Sequence, residues 1–173
     1  ETQGFDWKVG TNFDLGNMGK MRNQLSGTYV MDYSGNGGAN TAGRKGLPRI
    51  RANLNNNWSF ANWDFNWNIS YIHRTQSQAY REWLALINTP VLTATQINNR
   101  DFYASQPSHL PSWVTHDVQA SFKAPWNATI SVGVNNVANK IPVFENYSGG
   151  TSYDSTLYDP WGRVIYFRYT QRF

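Results

Sequence analysis

The chain has 173 residues, 15 Lys and Arg against 11 Asp and Glu, a net charge of +4, and no cysteine. That rules out disulfides, thiol chemistry and cysteine-based metal sites, and the charge is too small and dispersed to suggest a nucleic-acid partner. Aromatics make up 16% and charged residues 15%, against about 25% charged in soluble domains, yet the mean hydropathy of −0.59 leaves no window of ~18 apolar residues for a membrane helix.

Segment 5–15 alternates Phe5, Trp7, Val9, Thr11, Phe13 and Leu15 with Asp6, Lys8, Gly10, Asn12 and Asp14. Segment 20–33 sets Met21, Leu25, Tyr29 and Met31 against Lys20, Arg22, Gln24 and Thr28. In 49–58, Ile50, Ala52, Leu54 and Trp58 oppose Arg49, Arg51, Asn53, Asn55 and Asn57; in 63–75, Trp63, Phe65, Trp67, Ile69 and Tyr71 oppose Asp64, Asn66, Asn68 and Arg74. A helix Gln78–Ile87 follows, with Tyr80, Trp83, Leu84 and Ile87 on one side and Pro90 beyond its end. The alternation resumes in 112–123 (Val114, Val118, Ala120 and Phe122 against Asp117, Gln119 and Ser121) and in 127–137 (Ala128, Ile130, Val132 and Val134 against Thr129, Ser131, Gly133 and Asn135). It ends in 163–173, where Ile165, Phe167, Tyr169 and Phe173 oppose Tyr166, Arg168, Thr170 and Arg172. A period of two is a strand's signature and the helical spacing is absent. Seven strands of about 9–11 residues suit a membrane crossing.

The links alternate in size. Short ones run Asp14–Gly19, Ser59–Asn62 and Lys123–Trp126; long ones run Ser34–Pro48, Gln76–Pro111 and Ala138–Gly162. Short turns at one end and long loops at the other are the plan of an outer-membrane barrel. Phe13, Trp58, Phe60, Trp63 and Phe122 fall at the short-turn ends, and Phe5, Trp7, Tyr29, Tyr71 and Trp113 near the long-loop ends, as two interfacial belts would. The fold class predicted is all-β: a transmembrane antiparallel up-and-down β-barrel. Arg22, Arg51, Asp64, Asn66, Asp117, Gln119 and Arg168 lie on the polar parity and are expected to face the lumen. Single-chain bacterial barrels have even strand numbers, so seven strands, with no export signal before Glu1, predict part of a larger barrel.

Three stretches carry a more specific message: Pro111–Phe122 around Asp117; Val132-Gly133-Val134-Asn135-Asn136-Val137-Ala138-Asn139-Lys140-Ile141-Pro142; and Tyr158-Asp159-Pro160-Trp161-Gly162-Arg163 leading to a strand that ends in Phe173. In order and spacing they resemble the C-terminal barrel portion of TonB-dependent outer-membrane transporters. Val137-Ala138 stands where that family has Leu-Phe, and Gln171 where it has a second aromatic. The resemblance implies the last seven strands of a barrel of about 22, with a plug domain outside these residues. It implies active import of a scarce nutrient (an iron chelate, a vitamin or an oligosaccharide) across the bacterial outer membrane. Its implied partners are outer-membrane lipid and lipopolysaccharide, the remaining strands and plug, a TonB-type energy-coupling protein, and the barrel-assembly machinery. That machinery would read Phe167, Tyr169 and Phe173.

Tyr80, Trp83, Phe102 and Tyr103, in the longest link, are candidates for an outer substrate vestibule. His73, His109 and His116 share no ligand spacing, and no nucleophile–base–orienter set can be assembled, so neither an enzyme nor a bound metal or cofactor is predicted. Two other readings fit the alternation: a passive porin-type channel, and a soluble carbohydrate-binding β-sandwich.

Overall fold

A computed structural model describes residues 1–35, 37–147 and 150–173. Its frame is one sheet of seven strands, each antiparallel to the next: β1 (Thr2–Asp14), β2 (Lys20–Tyr33), β3 (Ile50–Phe60), β4 (Trp63–Ile72), β7 (Trp113–Ala124), β8 (Ala128–Asn135) and β11 (Val164–Gln171). The numbering leaves room for two small ladders outside the frame, β5 (Thr75–Gln76) with β6 (His109–Leu110), and β9 (Glu145–Tyr147) with β10 (Gly150–Ser152). Among the described residues β1 and β11 do not pair with each other, so the sheet is an open wall.

The expected strands are present with shifted ends. β1 begins at Thr2 rather than 5, and β4 stops at Ile72 rather than 75 because Thr75–Gln76 turns away to pair with His109–Leu110. Helix α1 (Gln78–Ile87) occupies the predicted span, and a second helix, α2 (Ala94–Ala104), was not foreseen. Its start carries a capping box: Thr93 accepts from the Gln96 backbone while the Gln96 side chain accepts from the Thr93 N–H.

Register decides the faces, because residues directly opposite in an antiparallel pair point the same way. Asn12, Arg22, Asn57, Asn66, Gln119, Gly133 and Tyr166 form one row across the whole sheet. On the other face Phe13, Met21, Trp58, Phe65, Ala120, Val132 and Phe167 form the matching row. At the short-turn end, Trp58 stacks on Phe60 and Phe65, and Trp63 meets Phe65 and Phe122, with ring centroids 4.9 to 6.0 Å apart. Such pairs contribute about 0.5–1.5 kcal/mol each beyond burial. The Trp58 indole N–H, which a greasy face cannot satisfy, donates to the Met18 carbonyl at 2.8 Å.

The greasy face is not uniformly apolar. Thr11, Asn23 and Asn56 share a row with Trp67, and His116 sits one row away. Trp113, expected in an aromatic belt, lies instead on the polar face, in the row of Arg51 and Ile72, and is buried. Its ring is covered by the loop that carries Tyr158, at 5.2 Å.

Candidate functional site: a polar face beneath clasped loops

The polar face is built mainly of amides and hydroxyls. Asn66 donates to the Asn55 Oδ1 at 3.2 Å, Asn53 to the Ser70 Oγ at 3.2 Å, and Gln119 to the Ser121 Oγ at 2.9 Å, while the Ser121 and Ser131 hydroxyls meet at 2.9 Å. Arg22 donates from Nε to the Asn12 Oδ1 at 3.0 Å, and Lys123 pairs with Asp64 at 2.6 Å. Tyr166 lies over Gly133, where a Cβ would stand 2.3 Å from its ring, and donates its hydroxyl proton to the Gln119 Oε1 at 2.8 Å. A hollow of about 1000 Å³ opens on this face, bordered by Asp64, Asn66, Gln119, Lys123 and Arg168; a second, of about 580 Å³, lies nearer the long loops, beside Asp6, Lys8 and Arg51. Such a lining can exchange hydrogen bonds with water, a solute or another protein segment. Among the described residues no cluster of three or more His, Asp or Glu could hold a metal. The seven residues expected on the polar parity, Arg22, Arg51, Asp64, Asn66, Asp117, Gln119 and Arg168, share this face.

The three sequence motifs come together at the loop-side rim. Asp117 accepts from the Asn136 backbone N–H at 2.7 Å. Asn136, at a φ of 51° that Asn tolerates better than most residues, closes its loop by donating to the Lys140 carbonyl (2.7 Å) and accepting from the Lys140 N–H (2.9 Å). Asn139 accepts from the Arg163 backbone N–H at 2.9 Å, and the Arg163 Nε donates to the Val137 carbonyl at 2.9 Å. Gly162 sits at φ 66°, where a Cβ would lie 2.7 Å from the Asn139 Oδ1, so glycine lets the two stretches meet without strain. Lys140 lies over the Trp113 ring, 5.0 Å from its centroid. The motif residues therefore form a rim knot that sets where β11 starts, and Asp117, Asn136 and Gly162 border a small hollow of about 320 Å³ there.

The long loops are fastened to one another. Glu145, almost fully buried, accepts from the Ala79 N–H at the start of α1 (3.0 Å) and pairs through its other oxygen with Lys45 (3.2 Å). One carboxylate thus joins the 34–49, 73–112 and 136–163 links. The Gln76 N–H donates to the Gly43 carbonyl at 2.7 Å, and the Ser77 hydroxyl, which caps α1, donates to the Pro107 carbonyl at 2.6 Å. Tyr158 is buried beside Thr75, Asp154 and Arg51. Burial pushes its hydroxyl above the ordinary phenol range and Asp154 adds to the shift, while Thr75 and Arg51 act the other way.

No protein-family model and no curated protein matches the chain. It is similar in structure to a mutant of the ferric enterobactin receptor of Pseudomonas aeruginosa: 97% of this chain matches 22% of that one, with a TM-score of 0.57 and 13% sequence identity. The fold is that of an antiparallel β-barrel wall. At such identity the likeness fixes the fold alone.

On this barrel wall the remaining candidates fall in two places. Tyr80 stacks on Trp83 at 5.5 Å and on His109 at 6.3 Å, while Phe102, on α2, is exposed. Tyr103 is 4% exposed and lies in the loop's own interior, where it supports Phe102 edge-on and does not itself face solvent. Phe167 and Tyr169 stand exposed on the greasy face of β11, and Phe173 follows beyond the strand's last paired residue. Gln171, in the place of an aromatic, donates to the Trp126 carbonyl at 3.0 Å and so ties β11 to the short turn before β8. The Glu145 clasp escaped the sequence reading because nothing local marks a buried carboxylate whose partners are 66 and 100 residues away.

Proposed function

We propose that this chain is wall of an active importer in the bacterial outer membrane, its polar face lining the lumen and its greasy face meeting lipid. Arg22, Arg51, Asp64, Asn66, Asp117, Gln119 and Arg168 then border the path or the plug within it. Tyr80, Trp83 and Phe102, backed by Tyr103, shape the outer mouth. Phe167, Tyr169 and Phe173 serve as the terminal signal for the barrel-assembly machinery. A TonB-type protein drives transport through a plug, and the nutrient is an iron chelate, a vitamin or an oligosaccharide. The observation that carries this reading is the sorting of seven consecutive antiparallel strands into one polar and one apolar face, with all long loops at one rim. The rim knot, formed from the motifs that resemble the transporter family, favours an importer over a passive porin. A soluble sandwich would bury its apolar face against a second sheet, whereas here Phe13, Phe65, Val132 and Phe167 are exposed.

The chain has no cysteine, so single cysteines give clean labels. Labels at Trp67 and Asn68 in assembled membranes should report lipid at 67 and water at 68; the reverse assignment overturns the two faces. Cells carrying the protein should accumulate solute only while the inner membrane is energised. Uptake that persists with an uncoupler would mean passive diffusion.

A further inference from the structure

Many of the chain's cations have a fixed partner. Arg22 donates to the Asn12 Oδ1, Arg163 to the Val137 carbonyl and Arg49 to the Val30 and Met31 carbonyls, while Lys45 and Lys123 pair with Glu145 and Asp64. Arg168 and Arg172 differ. Both are exposed on the polar parity of the last strand, and neither guanidinium has a hydrogen bond or an ion pair among the described residues. Arg172 stays in line beyond β11 because its backbone N–H donates to the Asn127 carbonyl at 3.0 Å. Both border the hollow of about 1000 Å³ at the short-turn end. Its one carboxylate, Asp64, is already neutralised by Lys123 at 2.6 Å. Between Asp64 and Arg168 the register places Ser121 and Ser131, which are 7% and 5% exposed and also border the hollow. Their hydroxyls meet at 2.9 Å, and Ser121 accepts from Gln119 as well. Their mutual bond takes up the proton of one hydroxyl. Whichever serine donates it, the proton of the other has no acceptor among the described residues.

A buried donor without an acceptor is costly, and two free guanidiniums beside it add uncompensated positive charge. An anion answers both. It accepts the spare hydroxyl proton, and its oxygens match the planar fork of a guanidinium. We propose that this hollow binds a small solute carrying two or more carboxylate or phosphate groups. The number follows from spacing. Arg168 and Arg172 are four residues apart, about 13 Å along a strand that rises ~3.3 Å per residue. One anionic group over Ser131 meets Arg168, which stands opposite it, and a second meets Arg172. The volume suits such a molecule, since small-molecule sites span about 300–1,000 Å³. The inference rests on the polar face being open to water, as in the importer reading, and needs no transport.

The test uses the full protein purified in detergent, with inorganic pyrophosphate as the probe and inorganic phosphate beside it. Calorimetric titration at low salt should show saturable pyrophosphate binding, tighter than that of phosphate. Arg168→Gln with Arg172→Gln should weaken it roughly tenfold or more, as the loss of one charge-assisted hydrogen bond would. Arg168→Lys with Arg172→Lys, which keeps the charge, should weaken it less. Lys8→Gln, at the other hollow of the same face, should leave it unchanged. In the unsubstituted protein, pyrophosphate should protect Arg168 and Arg172 from an arginine-specific dicarbonyl, read by peptide mass, and leave Arg74 reactive. No saturable binding, an undiminished affinity in the double-glutamine variant, or an equal loss in Lys8→Gln would each overturn the proposal. The first would show a hollow closed to solutes, the last a diffuse positive field. If the dicarbonyl reaches neither arginine even without pyrophosphate, the water-open face is wrong and the site falls with it. Uptake that persists with an uncoupler removes the importer reading and leaves this binding untouched.

Discussion

Tyr166, Gly133 and Gln119 show how one absent side chain organises a row: the ring can lie flat across β8 only because Gly133 offers no Cβ, and so it reaches β7. Gly133→Ala should swing the ring away and lose the hydrogen bond, at about 1 kcal/mol. A cycle with Tyr166→Phe would show it as non-additivity in urea titrations of the folded protein; strict additivity would mean the two are uncoupled. Gly19 is stricter. It combines φ 86° with a backbone contact, the Ser59 carbonyl oxygen only 2.0 Å from where a Cβ would be. Backbone cannot rotate aside, so Gly19→Ala should cost roughly 2 kcal/mol or more, measurable as a lowered unfolding midpoint. Tyr158 supplies a pH dependence. Its folded pKa is raised, so its contribution to stability is complete below about pH 10, the unfolded phenol's value, and fades as pH climbs through the raised value. Spectroscopic titration should find one tyrosine ionising late, and Tyr158→Phe should remove it.

At the scale of elements, the strands were legible because one apolar and one polar face, together with the pleat, impose the same period of two on every one of them. Ile130, on the apolar parity of β8, tests that logic. Ile130→Arg should destabilise the assembled wall by roughly 2–4 kcal/mol, and Thr170→Arg, on the polar face of β11, by much less. Equal costs in a folding titration would mean that both faces are buried alike. Helix α1 was legible from its spacing of Tyr80, Trp83, Leu84 and Ile87, whereas α2, with Asn98, Asn99 and Asp101 along it, lacks a comparable apolar stripe and announces itself only through its capping box. The clasp belongs to this scale as well. Glu145→Ala removes the acceptor of the Ala79 N–H and one partner of Lys45, a loss of about 1–3 kcal/mol for the buried N–H left unsatisfied. Limited proteolysis should then cut the 73–112 link while the strands stay protected; an unchanged cleavage pattern would show that the ladders alone hold the loops.

For the whole molecule, what could be read in advance was the wall and its two faces, since those follow from parity alone. What could not be read was everything made by distant contacts. The meeting of Asp117 with Asn136, the Asn139–Arg163 bond and the burial of Trp113 under Tyr158 depend on loops folding back over the sheet, which no local pattern encodes. The open edges of β1 and β11 have a consequence at this scale. With the wall in the membrane as proposed, unpaired backbone groups would cost several kcal/mol each in hydrocarbon, and both edges would then need strand partners. These 173 residues alone, refolded into planar bilayers, should give no stepwise conductance; steady single-channel steps would contradict the open wall.

The Glu145 clasp also limits how such a mouth can be remodelled. Because a single carboxylate is shared among three separate stretches, exchanging one loop alone removes a contact that the other two share. Recombination that swaps a single stretch should yield chains that assemble poorly, while exchange of all three as one cassette keeps the anchor intact.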